Sequence, residues 1–396
     1  MIRHLLKLVW NRKRANALIV AEIFISFLVV FGVLTGALTY GTRWRQPIGF
    51  QWRDVWDVRM DFDVDASEKA DPETYAAMFR MIDEVRSMPQ VAAAGISNTP
   101  AYSFSNSQGN REINGRQVKF KFDDVTDGFA DAMGLKVIRG RWFNAEDDAS
   151  RDWPVVLAAD AAHAMFGDAD PIGRKIEEDE KTNLQVVGVV ETFRKDGEAS
   201  GDDNMMFRRI SRDGTYGRLG SHIMVRLRPG TPPLFEQTLV TRLQQVAPAM
   251  SFSVRHMDQM RTNILRMRLA PLVVGGIVGS FLIAMVTLGL TGVLWQSVTR
   301  RTREIGLRRA MGASGPGVRG QVLIEVALLA TLAVILGSVV ILQLPILGAF
   351  QYVSPAAFSA GFLGALATIY ALTVLCGLYP SWLASRLQPA DALRYE

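Results

Sequence analysis

Four long apolar runs set the plan of this chain: 17–40, 271–295, 321–344 and 358–383. Each is long enough for a helix crossing about 30 Å of hydrocarbon, which takes roughly 20 residues. The first run is also longer than the apolar core of a secretory signal, roughly 7–15 residues, and reads as a retained transmembrane helix. Before it, residues 1–16 set Arg3, Lys7, Arg12, Lys13 and Arg14 among Leu5, Leu6, Leu8, Val9 and Trp10. That is the composition of an amphipathic helix lying along the cytoplasmic face.

Between the first two spans, residues 41–270 alternate between helical and strand periodicity. Asp71-Pro72-Glu73 supplies a cap, a proline at the first position and an acid in the first turn. Tyr75, Met78, Phe79, Ile82 and Val85 follow at helical spacing, and Val91–Ser97 reads as a strand. The same order returns near the far end: strand His222–Leu227, turn Pro229-Gly230, helix Pro233–Val246 and strand Ser251–Arg255. The end pieces, 45–97 and 221–256, are expected to pack as one α+β subdomain. The middle, 98–220, is expected to form a second, with strands Val118–Phe122, Leu135–Ile138, Val155–Ala158 and Leu184–Val190 and a short helix at Asp160–Phe166. A polar helical stalk, 257–270, leads through Pro271 into the second span. The fold class is therefore membrane α-helical, with four transmembrane helices and a large α+β extracytoplasmic domain between helices 1 and 2. Residues 345–357 form a short uncharged outer loop, and 384–396 a cytoplasmic tail.

Charge fixes the orientation. Between the second and third spans, 296–320 carries Arg300, Arg301, Arg303, Arg308, Arg309 and Arg319 against a single acid, Glu304. An arginine at bilayer depth costs roughly 2.5–3.5 kcal/mol, so this loop lies in water, and short arginine-rich loops stay in the cytoplasm. Both termini then lie inside. At the first span the asymmetry is weaker, because Arg43, Arg45, Arg53 and Arg59 lie beyond its outer end. The insert carries net −3 and the remainder +8, giving the overall +5. The basic balance thus belongs to the membrane flanks and gives no support to nucleic-acid binding.

The arginine loop has more form than a topological signal needs. Val298, Thr302, Ile305 and Met311 fall near one side of a short helix that Gly312 would end, and Gly315, Pro316, Gly317 and Gly320 are expected to turn the chain. A short amphipathic helix held in the cytoplasm is a surface for a partner. Glu325, just past the loop in an apolar run, is expected to pair within a helix bundle, with Arg319 or another arginine at the cytoplasmic end. Glu22 is expected to snorkel or to meet a neighbouring helix.

Other chemistry is sparse. The sequence has no G-x-x-x-x-G-K-[ST] loop, G-x-S-x-G elbow or H-E-x-x-H pair. Cys376 is the only cysteine, and His4, His163, His222 and His256 have no ligand-like spacing, so structural or surface roles are expected of them. The acidic run Glu177–Glu180 reads as a solvated turn.

Several stretches, taken together, carry a resemblance. TRRTREIGLRRAMGAS, Gln321–Glu325 and the ending YPSWLASRLQPADALRYE are similar to the loop, third span and C-terminal signature of the permeases typified by MacB, FtsX and the lipoprotein-releasing LolC and LolE. These are the mechanotransmission (type VII) ABC transporters. In the insert, DGFADAMGLKVIRGRWFNAEDD, AMFGDADPIGRKI and LQVVGVVETFRKDG resemble the MacB-like periplasmic core domain.

The resemblance implies a non-enzymatic permease of the bacterial inner membrane, with N- and C-termini cytoplasmic. It would pair with a second copy or a homologous permease and with a cytoplasmic ABC ATPase dimer, which would hold ATP and Mg; the permease itself would bind no cofactor and no metal. A periplasmic adaptor, an outer-membrane channel and membrane lipids are further partners it suggests. Coupling to the ATPase would fall on Arg300, Arg303, Glu304, Ile305, Gly306, Leu307, Arg308, Met311 and Gly312, and helix pairing on Glu325. MacB itself carries its ATPase on the same chain, and this sequence does not. An FtsX-like regulator that activates a cell-wall hydrolase is the alternative, against which the MacB-like core weighs; a membrane sensor without an ATPase is opposed by the coupling-loop motif.

Overall fold

The computed structural model describes residues 13–61, 71–113, 115–178, 182–201, 203–300, 311, 315–349 and 353–386. The amphipathic segment 1–12 and the end of the C-terminal tail therefore lie outside the described residues. In chain order the elements are α1 (Lys13–Trp44), β1 (Val55–Asp61), α2 (Pro72–Ser87), β2 (Val91–Ser97), β3 (Gln108–Ile113), β4 (Arg116–Val125), α3 (Phe129–Met133) and β5 (Val137–Gly140). They continue with β6 (Trp153–Ala158), α4 (Ala159–Phe166), β7 (Lys175–Glu177), β8 (Asn183–Val190), β9 (Met205–Arg209), β10 (His222–Leu227), α5 (Phe235–Val246), β11 (Ser251–His256), α6 (Met257–Arg300), α7 (Gly315–Gln343) and α8 (Pro355–Arg386). The chain divides into two units, 1–42 with 269–396, and 43–268.

Among the described residues, four helices are long and apolar enough to cross a membrane: Ala17–Trp44, Met257–Gln296, Leu323–Gln343 and Pro355–Leu378. Two expectations for the loop between α6 and α7 are corrected. Residues 296–300 are not loop but the last turn of α6, which runs unbroken through Pro271. Gly315, Pro316, Gly317 and Gly320 do not turn the chain; they open α7. A proline in the first turn loses no hydrogen bond, because the leading N–H groups of a helix have no partner within it.

In the membrane unit, α1 contributes Ile19, Ile23, Phe27, Val30 and Phe31 to a core shared with α6, α7 and α8. Without a hydrophobic drive inside lipid, such packing depends on close approach at small residues. The glycines supply it. Gly279 of α6 faces Val29, Gly337 of α7 faces Phe27, and Gly361 of α8 faces Thr35. Phe31 meets Phe358 edge-on at 5.2 Å, and Thr331 and Tyr370 join α7 to α8 through their hydroxyls at 3.0 Å. Glu22, half-buried, lies against Gly289 of α6, which makes it a helix contact. Cys376 is buried in the same core.

The outer unit is built on one sheet in the order β11-β1-β10-β2-β4-β9-β6-β8-β5, with β3 paired to β4 and β7 to β8. Its first four strands are antiparallel, and their Val58, Met60, Ile96 and Ile223 pack with Met78, Ile82 and Val85 of α2 and Leu239 and Leu243 of α5. Asp71 caps α2 by accepting from Thr74 N at 2.7 Å. The other half mixes parallel pairs (β4 with β9, β6 with β8) and antiparallel ones. The halves meet at a single residue pair, Ser97 and Val125. Asp123 supplies what the short ladder lacks: buried, it accepts from Ser97 Oγ at 2.5 Å and from the backbone of Asn98 and Thr99 at 2.8 Å. Burial raises its pKa, against these hydrogen bonds.

Several charged side chains of the outer unit are used inside it. Arg208 lies between Phe122 and Trp153, at 3.9 and 4.4 Å, and pairs with Asp124 at 2.6 Å and Glu178 at 3.1 Å. Glu178, at the start of the turn between β7 and β8, is thus an ion-pair partner, while Asp179 and Glu180 lie outside the described residues. His222 is buried, bonded to Asp57 at 2.8 Å, and His256 stacks on Trp56 at 4.8 Å. His163 is exposed, and His4 lies outside the described residues.

The helix contacts make a prediction. A Cβ on Gly361 would sit 2.1 Å from Thr35 Oγ1, whereas Gly276 has nothing within 4 Å. Gly361→Val should destabilise the detergent-solubilised protein by about 1–3 kcal/mol, the usual cost of overpacking, and Gly276→Val should not. Equal melting temperatures for the two variants would remove α1–α8 contact as the reason for that glycine.

Candidate functional site

The sequence placed the coupling site at 300–312, and most of it lies outside the described residues: Arg303, Glu304, Ile305, Gly306, Leu307, Arg308 and Gly312. Arg300 is the last residue of α6, and Met311 is 74% exposed. Glu325 is half-buried on α7. The densest polar site in the described residues lies elsewhere, in the segment between β8 and β9.

That segment, Phe193–Ser200, is buried at every position although it reads FRKDGEAS. Phe193 anchors it, with ring centroids 5.0 Å from both Phe50 and Phe207. Gly197 has φ +73°, and a Cβ there would fall 2.3 Å from the Tyr102 ring, so both the turn and the packing require glycine. The four charged side chains then leave for three places: the end of α1, the first turns of α6 and the loop before β3.

Arg194 reaches the end of α1. Its Nη1 donates to Arg43 O at 2.9 Å and Gln46 O at 3.3 Å, and its Nη2 to Glu198 O at 3.1 Å and to Ser200 O. The last carbonyls of a helix lack intrahelical donors and carry the negative end of its dipole, so a buried guanidinium is a fitting cap. Glu198 and Asp196 reach the start of α6. Arg261 donates twice to Glu198 Oε1, at 2.8 and 2.6 Å, while Tyr102 OH lies 3.4 Å from the other oxygen. Burial, then the Glu198 charge, raises the Tyr102 pKa, keeping it a neutral phenol. Arg261 also lies over Trp52 at 4.6 Å and Trp44 at 6.0 Å. Asp196 pairs with Arg268 and, at 3.5 Å, with Lys121.

Lys195 turns to the loop before β3. Its Nζ donates to Ser103 O at 3.2 Å, Asn106 Oδ1 at 3.3 Å and Ser105 O. Burial lowers its pKa to about 8, opposed by the nearby Asp196 and Asp123. Its backbone N–H donates to Asp203, whose own pKa burial raises. One eight-residue segment thus ties the outer end of α1, the first three turns of α6 and the 103–106 loop to the sheet. Its LQVVGVVETFRKDG neighbourhood was visible in sequence only as a resemblance. The usable signal was the matching of two acids, Asp196 and Glu198, to two arginines two turns apart on the stalk, Arg261 and Arg268.

Known proteins share this layout of helices and outer domain. Residues 22–239 match the family model described as MacB-like periplasmic core domain, and residues 276–389 that described as FtsX-like permease C-terminal. The chain belongs to the MacB/FtsX-type ABC transporter permeases. It is 29% identical over 285 residues to the macrolide export ATP-binding/permease protein MacB of Bordetella avium, covering 69% of this chain and 42% of that protein. To MacB of Chlorobaculum tepidum it is 30% identical over 272 residues, covering 65% and 41%. The chain thus spans about two-fifths of the length of these curated relatives, and it matches their permease part. Among solved structures, the periplasmic region of MacB from Actinobacillus actinomycetemcomitans covers 54% of this chain and 93% of its own, at 15% identity and TM-score 0.38. The extracellular domain of the transporter YknZ from Gram-positive bacteria covers 50% and 99%, at 15% identity and TM-score 0.35. Membership and the four apolar helices make this MacB/FtsX-type permease a multi-pass inner-membrane protein, and the family implies a partner ATPase.

The Lys195 environment predicts a pH dependence. Between about 8 and the ordinary value of 10.5 the unfolded lysine holds its proton and the folded one does not. Stability from this group therefore rises with pH through that window, by up to about 1.4 kcal/mol per pH unit. The difference in melting temperature between wild type and Lys195→Met should be flat below the window and change across it, in favour of wild type as pH rises. Parallel profiles through the window would mean that Lys195 keeps an ordinary pKa.

Proposed function

We propose that this permease works by mechanotransmission: ATP binding and hydrolysis in a separate cytoplasmic ATPase dimer change the spacing of α1 and α6, and the outer unit moves in response to expel a periplasmic substrate. The observation that carries this reading is the 193–200 segment, which binds the last turn of α1 and the first turns of α6 to one sheet. A displacement of either helix end is then passed to the sheet through buried, hydrogen-bonded charges, which yield less readily than a solvated linker. ATP and Mg belong to the partner, since no phosphate-cradling loop lies in these 396 residues. The working unit contains two permeases, identical or homologous, with the loop 296–320 of each meeting an ATPase. The curated relatives are named as macrolide exporters, which puts small-molecule efflux first among substrate classes, with a periplasmic adaptor and outer-membrane channel as its further partners.

The experiment separates the two ends of the path, using the permease and its ATPase in nanodiscs together with a transport or resistance assay in cells. Glu304→Lys and Ile305→Asp should abolish stimulation of the ATPase at normal expression, since a central interface truncation costs about 2 kcal/mol or more, tens of fold in affinity. Asp196→Asn with Glu198→Gln should leave stimulation intact and lose transport. Full transport in the second variant would sink the mechanical role of the segment, and full coupling in the first pair would reduce the loop to a topology signal.

Orientation is tested separately. In a Cys376→Ser background, a cysteine at exposed Ser251 should react with an impermeant maleimide on intact spheroplasts, and one at Ser314 should not. Labelling at 314 alone would invert the proposed topology, in which both termini are cytoplasmic.

A further inference from the structure

The outer arginines, which blur the charge asymmetry of the first span, call for an explanation that coupling does not give. Arg45 and Arg53 are exposed just beyond the apolar run that ends at Trp44, and Arg266 is exposed just before the apolar run of α6 begins. Among the described residues these three have no carboxylate partner; Arg261 and Arg268 on the same helix are taken by Glu198 and Asp196. Aromatic and apolar side chains accompany them. Trp44 is 48% and Met267 61% exposed, and Arg53 lies over the Trp52 ring at 5.2 Å.

Phe104 adds an unusual feature. It is 70% exposed at the tip of a loop, yet the carbonyls on both sides of it, Ser103 O and Ser105 O, are held from beneath by buried Lys195. Lys195 is followed in sequence by Asp196, the partner of Arg268, one residue before the apolar stretch of α6. A large apolar side chain is thus fixed outward, on a loop that costs little further entropy to immobilise, one ion pair away from the point where α6 becomes apolar.

Tryptophan with arginine at the end of an apolar run is the composition of a membrane–water boundary, where indole rings sit at headgroup level and guanidinium groups meet phosphates. We infer that the face bearing Trp44, Arg45, Arg53, Phe104, Arg266 and Met267 docks on the lipid leaflet from which α1 and α6 emerge, with Phe104 inserted at the headgroup–acyl boundary and the three arginines on lipid phosphates. The occupant is lipid because Trp44 and Met267 adjoin the apolar runs of α1 and α6 along the chain, and the three exposed arginines outnumber the one exposed acid beside them, Asp54. The inference rests on the spanning of the membrane by α1 and α6 and is independent of ATP coupling, so it stands or falls without the ATPase.

The test uses the full chain in nanodiscs, Cys376→Ser, with an environment-sensitive fluorophore on Phe104→Cys and, as control, on Leu234→Cys, a residue 70% exposed next to α5. At 104 the emission should be blue-shifted and quenched by phospholipids brominated high on the acyl chain, and protected from aqueous iodide; at 234 it should show neither. The blue shift should be larger with phosphatidylglycerol than with phosphatidylcholine alone, and that difference should be lost when Arg45, Arg53 and Arg266 are all changed to glutamine. Equal iodide quenching at 104 and 234 would overturn the docking. Protection from both quenchers, with the unlabelled Phe104→Cys variant forming a disulfide between two copies, would overturn it in favour of a protein neighbour. An equal shift in the two lipids would overturn the part assigned to the arginines.

Discussion

Placing Arg194, Lys195, Asp196 and Glu198 in a buried run is the constraint on which the outer unit depends. Each buried ion carries a desolvation penalty of several kcal/mol, and breaking a buried pair by removing one partner costs about 3–5 kcal/mol. Such a segment is tenable only if every charge finds a partner, and the partners come from four places: the last carbonyls of α1, two arginines of α6, Lys121 on β4 and the 103–106 loop. Apolar residues in the same positions would pack the segment as well. They would not specify which turn of which helix it touches. The desolvation cost is offset by these pairings and hydrogen bonds, and their geometry sets which turn of each helix the segment meets, though it is only a connection between strands.

The same logic recurs at the waist of the sheet. One ladder pair between β2 and β4 is little to join two halves of a domain, and the junction is completed by the Asp123 carboxylate, which takes three donors from Ser97, Asn98 and Thr99, and by Thr126, which accepts from Ile96 N at 2.9 Å. Beneath it a shared apolar cluster runs through Val55, Val125, Phe129, Phe207 and Met224 and takes in Met257, Met260 and Ile264 of α6. The halves are therefore joined by a narrow polar seam over a continuous apolar floor, and the first turns of α6 are part of that floor.

How much of this was legible in the sequence depended on whether a segment obeyed one simple pattern. The helix opened by Asp71-Pro72 and the strand at 222–227 were readable because capping chemistry and period agreed with burial. Four strands escaped, β1, β3, β7 and β9, and the first and last of them show why. β1, VWDVRMD, lies between β10 and β11 with Asp57 buried, so its polar positions do not mark a solvent face. β9, MMFRR, is buried throughout, with Arg208 stacked between aromatic rings and Arg209 bonded to Asp127 and Asp148 at 2.7 and 2.5 Å. Composition treats an arginine as surface, and only its long-range partners reveal otherwise. The 193–200 segment failed to stand out for the same reason. At the α6–α7 loop the error was opposite: glycine and proline were read as breaks, although at a helix start they disturb little.

The spacing on α6 limits how the stalk can move. Met257, Arg261, Ile264 and Arg268 follow one another at intervals of four, three and four residues, which keeps them on one helical face. The apolar members enter the floor of the outer unit, and the charged members meet Glu198 and Asp196. Sliding the helix by one turn, about 5.4 Å, would leave both acids without their arginines. It would also carry Arg261 toward positions built for methionine and isoleucine. Small axial steps are therefore opposed by charge and packing together, whereas tilting the helix with its attached segment breaks neither. The start of α6, the 193–200 segment and the sheet that carries it are accordingly held together by charge and packing at once.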